Sequence, residues 1–122
     1  MMKEPLSVLI IDDDVDVCHL LKKILSNRGI WASTAHSLVE GAHCMEKVKP
    51  DVIFLDNTLP DGLGIDFIKK IKTFDSSIRV IMISGDTVNG VREKALEQGA
   101  QFFLTKPFDH DRISEMVVEF EN

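Results

Sequence analysis

Five times along this chain a short apolar run gives way to a segment whose apolar side chains recur every three or four positions. The runs are Leu6–Ile11, Ile30–Ala35, Asp51–Asp56, Ile78–Ile83 and Gln101–Leu104, the second shorter on apolar residues than the rest. An unbroken apolar run suits a strand buried on both faces, and strands that alternate with helices make a parallel sheet covered on both sides. The expected fold is therefore α/β: a flavodoxin-like, doubly wound, five-stranded parallel sheet of order 2-1-3-4-5, with five helices on both faces. At 122 residues the chain fits one domain, 1–122.

The helices carry their own start and stop signals. After Asp12-Asp13-Asp14, the positions Val17, Cys18, Leu21, Ile24 and Leu25 form a helical stripe, capped by Asp13 or Asp14 and closed at Asn27-Arg28-Gly29. Ser37 caps a second helix through about Val48, ahead of Pro50. Ile65, Ile68, Ile71 and Phe74 mark a third, after a loop over Pro60–Gly64. The fourth, about Thr87–Gln98, places Val88, Val91 and Ala95 inward; so thin a stripe predicts the least firmly packed helix. Ile113, Met116, Val117 and Phe120 define the fifth.

Composition excludes several classes. Lys plus Arg is 14 against 20 for Asp plus Glu, a net charge of −6, which argues against a nonspecific nucleic-acid or anionic-membrane surface. No apolar run reaches membrane-spanning length, and the first residues lack a signal-peptide core. Cys18 and Cys44 have no metal-site spacing; Cys18 reads as a small buried hydrophobe, and reduced thiols point to the cytoplasm. The four histidines are scattered and read as surface or capping residues.

In the 2-1-3-4-5 order, strand 1 lies beside strand 3, so Asp12, Asp13 and Asp56 converge at the carboxyl rim, where open α/β sheets place ligands. Ser84 and Lys106 follow strands 4 and 5 onto the same rim. Each has an ordinary explanation: acids at a helix N-terminus, a turn serine, a solvated lysine. All five in one layer point to phosphoryl chemistry. Three crowded carboxylates call for a cation or a shifted pKa, and hard oxygen ligands suit Mg²⁺. Lys106 and Ser84 suit phosphoryl oxygens, and Asp56 can act as a nucleophile towards phosphorus.

At this point the chain resembles the receiver domains of two-component response regulators. The segments that carry the resemblance are Val8–Asp14, Leu55–Gly62, Val80–Gly85 and Phe103–Phe108, in the family's order and over essentially the whole chain. The resemblance implies that Asp56 is the phospho-acceptor and that Asp13 and Asp56 ligate Mg²⁺ directly. It adds Asp12 through a water and the backbone carbonyl of Thr58 as the remaining ligands. It makes Ser84 the switch hydroxyl, Phe103 the switch aromatic, and the Lys106–Pro107 peptide cis.

The resemblance also implies a signalling switch rather than an enzyme, at most taking phosphate from small donors and losing it again. The implied donor is a histidine kinase or histidine phosphotransfer protein. A downstream effector or output domain would read the face made by helix 4, strand 5 and helix 5, and homodimerisation on phosphorylation is a further option. Direct nucleic-acid and membrane contacts are not expected. Two other classes stand against this reading. A haloacid-dehalogenase-like phosphatase would need a second acid where Thr58 stands, and its additional acid pair late in the chain rather than first. A receiver-like interaction module that never turns over phosphate would have no need of the intact set Asp12, Asp13, Asp56, Ser84 and Lys106.

Overall fold

The computed structural model describes residues 5–85 and 90–121. Its central sheet is built from β1 (Val8–Ile11), β2 (Ala32–Ala35), β3 (Val52–Asp56), β6 (Arg79–Ser84) and β7 (Phe102–Thr105). These run in the order β2-β1-β3-β6-β7, all parallel. Taken as the sheet's own five strands, that is the expected 2-1-3-4-5. A separate two-stranded antiparallel ladder, β4 (Thr58–Leu59) with β5 (Gly62–Leu63), lies where the sequence read as a loop.

Strand alternation sorts the core into two halves. Leu9, Ile11, Ile53, Leu55, Val80 and Met82 point to one face, where α2 (Leu38–Val48), α3 (Gly64–Phe74) and α4 (Val91–Gln98) cover them. Val8, Ile10, Val52, Phe54, Ile81 and Ile83 point to the other, beneath α1 (Val15–Ser26) and α5 (His110–Glu121). Both sets are buried, which is why the strands read as continuous apolar runs rather than alternating ones.

Helix ends follow local chemistry. Asp14 caps α1 by accepting from the Asp16 and Val17 amides at 2.9 and 3.3 Å. Ser37 caps α2 through the Glu40 amide at 3.1 Å, while Asp61 reaches across to accept from Leu38 and Val39 at 2.8 and 3.0 Å. Those two amides hold the Asp61 carboxyl below its ordinary pKa. At Gly41 an added Cβ would lie 2.6 Å from Ile11 Cδ1, so α2 packs closely on β1 there and a side chain would have to displace that of Ile11.

Ile65, Ile68, Ile71 and Phe74 all fall on α3; the first three are buried, while Phe74, the last residue of the helix, is 41% exposed and lines an open cleft with Ala42, Met45 and Thr73, between α2 and α3. The predicted start of α4 at Thr87, with Val88 inward, lies outside the described residues. Within them, α4 buries Ala95 alone, consistent with its thin stripe. No helix among the described residues is long and apolar enough to cross a membrane.

Candidate functional site

β1, β3 and β6 all end at the same rim, and each delivers a polar residue into a buried position. Asp12 follows β1 and is fully buried; Asp56 ends β3 at 4% exposure; Ser84 ends β6 at 1%. Asp13 lies beside Asp12 but faces solvent. Carboxylate oxygens of Asp12, Asp13 and Asp56 fall within 4.8 Å of one another, the one such cluster of acid, histidine or cysteine ligands among the described residues.

Asp12 is held from several sides. Its main-chain N–H donates to Ala35 O at 3.0 Å, and its carbonyl accepts from the Cys18 thiol at 3.3 Å and faces His36 Nδ1 at 3.0 Å. Its Oδ1 accepts from the Asp14 amide at 2.9 Å. Burial, followed by the charges of Asp12 and Asp14, pushes the Cys18 thiol up to about 11, so it stays protonated as a donor.

Lys106 joins the acids. The residue after β7, it donates its main-chain N–H to Ser84 O at 2.9 Å and precedes a cis peptide to Pro107. Its Nζ stands 3.0 Å from Asp12 Oδ2 and 3.2 Å from Asp56 Oδ1. Burial draws the ammonium's pKa down, but hydrogen bonding and the charges of Asp12 and Asp56 outweigh it, and the pKa ends above its usual value. Asp56 moves the other way for a carboxylate: burial first, then the Asp12 charge, raise it to about 6, against the pull of Lys106.

Three carboxylates and one ammonium leave a formal charge of −2 at this rim. Asp12 Oδ2 is buried and, apart from the Lys106 ion pair, accepts no aligned hydrogen bond among the described residues. Buried oxygen donors, surplus negative charge and a solvent-facing member in Asp13 make a donor set that fits a divalent cation of the hard class.

All five expected rim residues therefore meet at one end of the sheet. Thr58 lies two residues beyond Asp56, exposed, in the short ladder. Phe103 is buried in the core half that α4 covers, together with Ala95. Sequence reasoning missed Asn57, which is 6% exposed and fixes the chain beyond Asp56, and Asp61, which clips that loop to α2. The available signal was weak: a polar residue on the far side of an apolar run, and an acid between Pro60 and Gly62 that looks like any turn residue.

Comparison with known proteins agrees with this geometry. A family profile described as response regulator receiver domain matches residues 8–118. The chain is 34% identical to the chemotaxis protein CheY of Bacillus subtilis over 90% of this chain and 92% of that protein. It is 30% identical to sporulation initiation phosphotransferase F of the same organism, over 98% and 95%. Among solved structures, a CheX–CheY complex with BeF3 and Mg²⁺ from Borrelia burgdorferi matches with a TM-score of 0.89 and 30% identity, covering 97% of this chain and 90% of that one.

Proposed function

The chain belongs to the response regulator receiver domain family, and from that premise we propose that it is a phosphorylation-dependent switch whose acceptor is Asp56. One observation carries the reading. Asp56 ends the central strand within 3.2 Å of Lys106 Nζ and in the same cluster as Asp12 and Asp13.

The chemistry follows from the residues present. An ionised Asp56 oxygen attacks the phosphorus of a phosphohistidine on a histidine kinase or histidine phosphotransfer partner. The P–N bond breaks with its electron pair on the imidazole, which leaves neutral when its other nitrogen carries a proton. Lys106 and the Ser84 hydroxyl donate to phosphoryl oxygens, and the nucleophile needs no general base. Above a pKa of about 6, Asp56 is mostly the carboxylate this step requires.

Mg²⁺ is the cation the donor set suits: Asp13, Asp56 and the Thr58 carbonyl would hold it, and Asp12 would assist through a water. When bound, it supplies positive charge against the acids and the phosphoryl oxygens.

Output follows from the same rim. Drawing the Ser84 hydroxyl towards a phosphoryl group pulls on the chain leading to α4, and Phe103 is the large side chain able to fill space opened beneath that helix. The face of α4, β7 and α5 is then the surface a downstream effector or output domain reads. Residues 1–122 act as one receiver unit, and free Cys18 and Cys44 accord with a cytoplasmic setting.

The reading is tested by incubation with acetyl phosphate and Mg²⁺, followed by intact mass spectrometry. One phosphoryl group should be added to the wild type, be lost in hydroxylamine, and be missing from Asp56→Asn. Unchanged mass under saturating donor and metal would refute the acceptor role and leave a phosphate-independent interaction module.

A further inference from the structure

Asn57 follows the acceptor directly and is buried, though it is polar and stands at the start of a loop. Its main-chain groups and its side-chain oxygen are all used inside the molecule. The main-chain N–H donates to Ile83 O at 3.0 Å, and the main-chain carbonyl accepts from the Gly64 amide at 2.7 Å. The side-chain Oδ1 accepts from the Ile65 amide at 3.0 Å. Ile83 immediately precedes Ser84, while Gly64 and Ile65 open α3. A single residue thus ties the chain leaving Asp56 to the neighbouring strand and to the first turn of a helix.

That helix depends on the tie. Leu63, at the cap position of α3, offers no side-chain hydrogen bond, so Asn57 Oδ1 satisfies a first-turn amide that α3 cannot satisfy itself. Contact is close from the helix side too: a Cβ added at Gly64 would lie 2.1 Å from Asp56 O. The main chain of Asp56 is therefore held between β6 and the start of α3, and only the torsions of its own side chain remain to place the carboxylate.

We propose that Asn57 is a positioning residue for phosphoryl transfer: by pinning the chain just beyond Asp56, it keeps the acceptor carboxylate against Lys106 and aimed at the incoming phosphorus. Asn57 touches neither the phosphoryl group nor its donor. The proposal rests on the reading of Asp56 as the acceptor. It goes beyond that reading in assigning the control of the acceptor's placement to the neighbouring amide and to the first turn of α3.

Initial rates of phosphorylation from acetyl phosphate, at saturating Mg²⁺ and at a temperature where each protein is folded by circular dichroism, separate positioning from mere support. Asn57→Ala removes the Ile65 contact, and its maximal rate should fall about tenfold or more, because small misplacements of a reacting group are costly. The acetyl phosphate concentration at half-maximal rate should stay within about twofold of wild type, since donor contacts are untouched. Asn57→Asp keeps an oxygen for the Ile65 amide, and its maximal rate should stand several-fold above that of Asn57→Ala. Where Asn57→Ala does not fold, Asn57→Thr serves, its shorter side chain giving the same loss. A fully folded Asn57→Ala with a wild-type maximal rate overturns the proposal, however much stability it has lost. So does an Asn57→Asp that falls as far as the alanine. A wild type that takes up no phosphoryl group overturns the acceptor reading itself, and this proposal with it.

Discussion

Replacing Asp56 with asparagine should make the metal-free protein more stable, and by an amount that depends on pH. Burial and the Asp12 charge raise the Asp56 carboxyl from 3.8 to about 6 in the fold, so the folded state favours the protonated form. Its contribution to stability is fully present below about pH 4 and is lost as pH rises through about 6. A shift of roughly two units at about 1.4 kcal/mol each sets an upper bound near 3 kcal/mol, which solvent at the open rim screens to about 1–2 kcal/mol at neutral pH. The Asp56→Asn variant has no charge to ionise and escapes that cost at every pH. Urea unfolding of both proteins in chelator, from pH 4 to 8 and followed by circular dichroism, should give curves that nearly coincide at pH 4. Above pH 7 they should separate by about 1–2 kcal/mol in favour of asparagine. Adding Mg²⁺ should narrow the gap by stabilising the wild type, by about 1.4 kcal/mol when free metal is ten times its Kd. A pH-independent difference, or an asparagine variant less stable than wild type at pH 7.5 in chelator, would refute the charge-crowding account.

Other expectations follow from the same contacts. Lys106→Met removes the cation that stands 3.0 and 3.2 Å from Asp12 and Asp56; the rate of phosphorylation by acetyl phosphate should fall at least about tenfold, by rapid-quench measurement. Ser84→Ala should still accept phosphate at Asp56 but lose the phosphorylation-induced change in hydrogen exchange at α4 and β7; exchange that changes as in wild type would remove Ser84 from the switch. Gly64→Ala places a methyl 2.1 Å from Asp56 O, and the required main-chain shift should cost about 1–3 kcal/mol in urea unfolding. Phe54→Ala, which empties a buried position in the core between the sheet and α1 and α5, should cost about 3–5 kcal/mol in urea unfolding.

Much of the fold was legible because buried parallel strands have no solvent face to alternate with. Val52-Ile53-Phe54-Leu55 reads as a strand for the same reason that all four residues are buried. The rim was legible because Asp12, Asp56 and Ser84 interrupt or end such runs, and parallel strands bring their ends to one side. What stayed hidden was set by contacts distant in sequence. Asp61 looks like a turn acid between Pro60 and Gly62, yet its partners are the amides of Leu38 and Val39. Asn57 looks like a solvated neighbour of Asp56, yet it is buried and bonded to Ile83 and to the Gly64 and Ile65 amides that open α3. The β4–β5 ladder is too short, and too rich in proline and glycine, to show strand periodicity. Phe74 continued the stripe of α3 by spacing, but an end-of-helix position left it partly exposed.

The central claim, that Asp56 alone forms the acyl phosphate, is tested most directly by reductive trapping. Protein treated with acetyl phosphate and Mg²⁺ is quenched with borohydride, which converts an aspartyl phosphate to homoserine, and the peptides are sequenced by mass spectrometry. Homoserine should appear at position 56 and at neither Asp12 nor Asp13, and should be missing when Mg²⁺ is chelated. Homoserine at Asp12 or Asp13, or a borohydride-resistant phosphate on Ser84 or Thr58, would contradict the account.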